Sequence, residues 1–198
     1  MTFADLAVVT ATLLAWGSLV PQIRKLARTG DVVGVSANWP AMGLVTNAAW
    51  TSYLLSQALW LAAPSTAVMV GFYALVLWML HRSGASLLRP AAGGGVWAAG
   101  LTVVGLAGGW GTLGIVLGWS YAVQLSPQVW TAYRTWRPSG IAPGTWMLVT
   151  VEAALWWIYG WWFSDTPIMI YAAVGVTAGV LILVRYSVTR HRPVPAAA

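Results

Sequence analysis

The ten Lys and Arg residues of this chain fall into four groups, and the groups close the first, third, fifth and seventh of its apolar stretches. Those stretches are read at about 6–23, 39–55, 64–80, 95–109, 112–133, 144–163 and 167–186. A helix that crosses a bilayer needs about 20 mostly apolar residues. Only 7% of the 198 residues are charged, against about 25% in soluble domains. The bilayer, not a folded aqueous core, is therefore the expected surrounding of most side chains. Arg24, Lys25 and Arg28 follow the first stretch, Arg82 and Arg89 the third, and Arg134 and Arg137 the fifth. Arg185, Arg190 and Arg192 close the seventh. Basic residues stay on the cytoplasmic side, which sets the N-terminus outside and the C-terminus in the cytoplasm. Asp5 and Asp165 fall outside. An even number of spans would scatter the basic groups, so the pattern also supports the short, Gly-rich fourth stretch. The net charge of +6 is thus explained by topology, and nucleic acid is excluded as a partner.

The sequence also repeats. Shifted by 106 positions, Leu19 falls on Leu125, Pro21 on Pro127, Gln22 on Gln128 and Thr29 on Thr135. Gly34 then meets Gly140, Val45 meets Val151, Trp50 meets Trp156 and Tyr53 meets Tyr159. Three spans belong to each copy and one joins them. An odd joining span gives both halves the same orientation, related by an axis along the membrane normal. The expected fold is an all-α membrane protein: seven transmembrane helices as two parallel three-helix bundles, 3+1+3. Its parts are residues 1–82, a linker with the fourth helix at 83–110, residues 111–187, and a disordered cytoplasmic tail at 188–198. Residues 81–95, with Gly93, Gly94 and Gly95, are read as a hinge-like connection, and the break between spans four and five is placed at Trp110-Gly111. No basic segment precedes the first apolar stretch, which reads as a spanning helix and not as a cleaved signal. The lack of eukaryotic sorting signals favours a bacterial inner membrane.

Pro-Gln near the inner end of the first helix of each half, and Trp-x-x-Tyr late in the second, resemble the PQ-loop superfamily, closest to the SWEET and SemiSWEET sugar transporters. The second copy, Trp156-Trp157-Ile158-Tyr159, is followed by Gly160, as in that family. Pro64 and Pro167 open the third helices. Pro21, Pro40, Pro127 and Pro143 resemble the four prolines about which SWEET proteins are thought to hinge. The resemblance implies a transporter of a small polar solute, with a sugar as first expectation. It departs at Met69 and Ala172, which take the positions of an Asn pair in the sugar-carrying relatives.

Proline inside a helix removes one hydrogen bond and permits a kink. Pro21 and Pro127 free the carbonyls of Gly17 and Val123, which Gln22 and Gln128 can hydrogen-bond; the same glutamines can latch a closed inner gate. The alternative is a static kink that improves packing. Glu152 is the one acid within a span. Acids there usually face the bundle or a water-filled cavity. Trp156 lies one turn on, on the same face. A carboxyl beside an indole suits a ligand-binding pair, and the carboxyl can carry a proton. The alternative is a clasp to a neighbouring helix through Tyr121 or Gln124. Trp50 is the repeat mate of Trp156, and Thr46 of Glu152. Trp50, Trp156, Asn47, Glu152, Met69 and Ala172 are the expected solute contacts, with the two indoles facing each other across a central cavity. Tyr121, Gln124 and Gln128 share one face of span five, either as a polar stripe or as interhelical hydrogen bonds. Gly114 and Gly118 mark close helix packing. Asp31 reads as a solvated loop charge, or as an ion-pair partner of Arg24 or Arg28.

Catalysis is not expected. His81 and His191 have no acid near them in sequence, and no nucleophile, metal or phosphate motif occurs. Cysteine is absent, which excludes disulfides and thiolate chemistry. No cofactor or metal is expected. The partners are the lipid bilayer and a sugar or amino acid, with a homo-oligomer left open. Glu152 and the missing Asn pair favour a second reading, a proton-coupled amino-acid carrier resembling the cystinosin branch. A ligand-binding receptor without transport is a third.

Overall fold

The computed structural model describes residues 2–29, 37–136 and 143–189, with backbone alone at 19, 21, 22, 25 and 29. Six helices account for nearly all of them: α1 (Phe3–Thr29), α2 (Asn38–Ser56), α3 (Ala63–Arg82), α4 (Leu88–Arg134), α5 (Pro143–Trp162) and α6 (Thr166–Thr189). α4 is two helices joined at Gly109, whose φ of 74° and ψ of −178° break the helical path. The described residues thus form seven helical segments. α3, α4 and α6 are long and apolar enough to cross a membrane, which points to membrane association. α2 carries two Asn, four Ser or Thr and two Trp, and α5 carries five Trp and Glu152, which lower mean hydropathy without shortening the helix.

Local chemistry fixes the helix ends. Thr2 and Asp5 form a reciprocal capping box: the Asp5 N–H donates to Thr2 Oγ1 at 3.2 Å, and the Thr2 N–H to Asp5 Oδ2 at 2.6 Å. At the start of α6 the carboxylate of Asp165 accepts the Ile168 N–H at 2.9 Å. α3 starts differently. Its N-cap is Ala62, with no side-chain cap, and the Ser65 hydroxyl donates to the Ala62 carbonyl at 2.7 Å. Pro40, Pro64, Pro143 and Pro167 all stand in the first turn of a helix, where a missing N–H leaves no intrahelical bond unmade. Pro127 lies in a helix interior, and Pro21 falls well within the span of α1.

The chain divides into two compact units, Met1–Leu117 and Gly118–Ala198. In the first, α3 packs on both α1 and α2. The Trp16 indole donates to the Ser65 carbonyl at 3.1 Å, Leu26 packs with Val76 and Leu80, and the Thr51 and Thr66 hydroxyls meet at 2.8 Å. In the second, α6 packs on α5 and on the second arm of α4. A Cβ at Gly118 would stand 2.8 Å from the Pro167 carbonyl, and one at Gly175 would stand 2.8 Å from Ala153 Cβ. The Gly118 half of the expected glycine motif therefore does mark close packing. Gly175 and Gly179, a second G-x-x-x-G that sequence reasoning passes over, bring α6 against Ala153 and Thr150 of α5. Small residues of this kind let helix backbones approach in membranes.

The sequence repeat has a backbone counterpart. After α2, Leu59 N–H donates to the Leu54 carbonyl at 2.9 Å and Ala58 N–H to Leu55 at 3.1 Å. After α5, Asp165 N–H donates to Gly160 at 2.8 Å and Ser164 N–H to Trp161 at 3.2 Å. Each is a Schellman ending, and each uses a non-glycine residue in the left-handed region, Ala58 at φ 56° and Ser164 at φ 54°.

Two expectations are corrected. Gly93, Gly94 and Gly95 are not a hinge loop; they lie inside the first arm of α4. A Cβ at Gly94 would make only ordinary contact with the Ala41 carbonyl and Val45, at 3.6 Å, and one at Gly93 or Gly95 would meet nothing among the described residues; the turn before α4 is made by Gly84 at φ 87°. The break expected at Trp110-Gly111 falls instead at Gly109, the residue free to take a positive φ. The repeat pair Gly34 and Gly140, the Asp31 ion pair, Arg137, Arg190, His191, Arg192 and the expected disordered end of the tail lie outside the described residues.

Candidate functional site

In the first unit most candidate residues lie on α2. Trp50 and Tyr53, one turn apart, are 8% and 2% exposed. Their rings meet edge to face, with centroids 5.6 Å apart and planes at 81°, the arrangement that ring quadrupoles favour. Asn47 donates its amide to the Gly43 carbonyl at 2.8 Å, and its main-chain carbonyl accepts from Thr51 Oγ1 at 2.8 Å. Tyr73 of α3 covers Gly43: a Cβ there would lie 2.6 Å from the ring. Trp39 meets Tyr73 edge-on at 5.4 Å. Thr46 is buried, and its Oγ1 accepts the Trp97 indole N–H at 3.0 Å. That bond ties the first arm of α4 to α2. Met69 is half-buried on α3.

In the second unit the same pair recurs. Trp156 and Tyr159 are 7% and 1% exposed, with centroids 6.0 Å apart and planes at 90°. Glu152, one turn earlier on α5, is half-buried and lies near the Trp156 side chain. The structure thus brings Glu152 and Trp156 together as the spacing requires. Ala172 is fully buried on α6. Tyr121 stacks on Tyr171 at 4.3 Å with planes 20° apart, while Gln124 and Gln128 are exposed. The polar stripe read along span five therefore divides into a packed tyrosine and two exposed amides.

Pro127 is exposed. The carbonyl it would leave without a donor, that of Val123, accepts Ser126 Oγ at 3.1 Å. Sequence reasoning misses Ser126, although a hydroxyl beside a helical proline is the signal that could find it. The side chains of Pro21 and Gln22 are among those not described.

At the basic ends of the helices, Arg82 lies over Trp78 at 5.0 Å and Arg134 over Trp130 at 4.3 Å. Each pair is four residues apart, one helical turn. An open groove of about 510 Å³ at the turn between α3 and α4 is lined by His81, Ser86 and Leu88 among others and includes none of the expected solute contacts. Among the described residues no three His, Asp or Glu gather as a metal site would require.

Compared with protein-family models, curated proteins and solved structures, the chain matches none of them. Its class is set by its own features: a chain all-helical over the described residues, with apolar helices long enough to cross a membrane and a Trp–Tyr pair at matching positions in each of two compact units.

Proposed function

We propose that this chain is a membrane transporter of a small polar solute, of the PQ-loop, SWEET-like kind, and not an enzyme. On this reading it has seven spans as two parallel three-helix bundles and a joining helix. It sits in a bacterial inner membrane with its C-terminus in the cytoplasm. The observation that carries the reading is the duplication: a buried, edge-on Trp–Tyr pair followed by the same left-handed helix ending, once in each unit. Transporters built from such repeats alternate access by moving one repeat against the other. Trp50 and Trp156 are the proposed aromatic contacts of the solute, with Asn47 and Glu152 as its polar ones. Pro21, Pro40, Pro127 and Pro143 are the proposed bending points. A sugar is the first candidate.

Uptake of labelled glucose into proteoliposomes without an ion gradient tests this. Downhill flux in the wild type, lost in folded Trp156→Ala, is the expected result. Wild-type flux in Trp156→Ala would move the solute contact elsewhere, and no flux from folded wild type would exclude glucose uniport. A second reading rests on one residue. Glu152, the one acid within a span and close to Trp156, is suited to proton-coupled carriage of an amino acid, and amino-acid uptake driven by a pH gradient separates the two.

A further inference from the structure

Beyond Pro127, α4 is fastened to α6 at several points. Arg185 Nη2 donates to the Thr135 carbonyl at 2.8 Å, and its Nε to the Ala132 carbonyl at 3.2 Å. Two carbonyls at the end of a helix, where partial negative charge gathers, are thereby met by one planar cation. The same guanidinium stands 5.7 Å from the Tyr133 ring, and the Tyr133 hydroxyl donates to the Leu181 carbonyl at 3.2 Å. Beneath these contacts Ala132 and Ile182, 1% and 0% exposed, form a core with Val129, Trp146 and Tyr186 around them. On the other side of Pro127, Gly118 and Tyr121 hold the same α6 near Pro167, Ile170 and Tyr171. Between the two attachments, Val123, Gln124, Ser126, Pro127 and Gln128 are exposed. The proline therefore stands in an unsupported stretch between two anchored ones.

We propose that Arg185 is a positioning residue that makes the end of α4 beyond Pro127 and the end of α6 a single moving piece. A bend at Pro127 is then passed to α6 and does not swing α4 alone. The inference rests on the transport reading only for its consequence; the fastening itself can be measured without transport.

The chain has no cysteine, so introduced thiols are the only ones present. Spin labels at Thr131→Cys and Val188→Cys, both exposed positions, report the separation of the two ends in liposomes. A narrow distance distribution in the wild-type background that broadens in Arg185→Gln is expected. A broad distribution in the wild-type background, or a narrow one in Arg185→Gln, overturns the proposal. Arg185→Lys keeps the charge but loses the two-pronged contact. It should broaden the distribution in the same way, and it decides the matter if Arg185→Gln does not fold.

The functional arm uses glucose uptake. Arg185→Lys is expected to slow maximal uptake severalfold, because a gating motion that must be passed on to α6 is loosened. Cross-linking Ala132→Cys to Ile182→Cys is expected to preserve uptake and to restore it in Arg185→Lys. Loss of uptake on cross-linking would mean that the two ends separate during transport, and would overturn the proposal. Absence of glucose uptake in every folded form would count against the sugar-transport reading, while the label distances would still decide the fastening.

Discussion

Ala58 and Ser164 stand 106 positions apart and hold the same left-handed backbone conformation, at φ 56° and 54°. Neither is glycine, so each places a Cβ where L-residues are disfavoured by about 1–2 kcal/mol. The tolerance of this strain at two equivalent points shows how firmly the flanking helices define the turn. Leu54 and Leu55 in one unit, and Gly160 and Trp161 in the other, supply the carbonyls that hold it.

Ala58→Gly and Ser164→Gly are each expected to stabilise the protein. Relief of the Cβ clash outweighs the greater freedom of glycine in the unfolded chain, leaving a gain of up to about 1 kcal/mol. Thermal unfolding in detergent checks this, and a lowered midpoint in both variants would show that the turn carries no strain.

Pro127→Ala returns an N–H to the Val123 carbonyl and closes the gap in the hydrogen bonding of α4. Maximal transport should fall severalfold while solute affinity changes little. Equal losses in rate and affinity would argue for a static kink. Ser126→Ala removes the hydroxyl that now meets that carbonyl, and should lower stability by about 1 kcal/mol in the wild type and by less in Pro127→Ala.

Glu152→Gln keeps the shape of the side chain and removes its titration. If Glu152 couples transport to protons, the variant loses the pH dependence of uptake while still binding solute. An unchanged pH profile would exclude coupling through this carboxyl.

The Thr2 backbone N–H bound to its carboxylate holds Asp5, which precedes the first apolar stretch, below the ordinary value of 3.8. A lowered pKa means that the capping contribution is complete above that value and is lost as pH falls through the folded one. The first turn of α1 should therefore fray under acid conditions. Asp5→Asn should show similar fraying near neutral pH, read as faster amide exchange at positions 4 and 5. Equal exchange in wild type and variant would show that the box does not hold this turn.

Much of the helical pattern was legible because apolar stretches and proline positions act locally. The Trp-x-x-Tyr pairs were legible because residues three apart share a helix face, and both fold into the edge-on contact. The two Schellman endings were hidden, since Gln57-Ala58 and Phe163-Ser164 lack the glycine that normally announces them. Gly93, Gly94 and Gly95 mislead for the opposite reason: glycine permits turns in general, but here all three continue a helix. Trp97 and Arg185 were not legible as contacts, because their partners lie 51 and 50–53 positions away. Apolar character depends on more than length: α2 and α5 are helices of 19 and 20 residues, yet the Asn, Ser and Thr of α2 and the Trp residues and Glu152 of α5 leave them outside the group of helices apolar enough to cross a membrane.

Thr46 and Glu152 occupy equivalent positions in the two copies, and their neighbours treat them differently. The Thr46 hydroxyl is taken by Trp97, so the first copy spends that position on holding a helix that has no counterpart in the second. Glu152 instead lies near Trp156, one turn on in its own helix. A duplicated chain can in this way divide labour between halves that began alike, with one copy keeping the architecture together and the other left free to acquire an ionisable group.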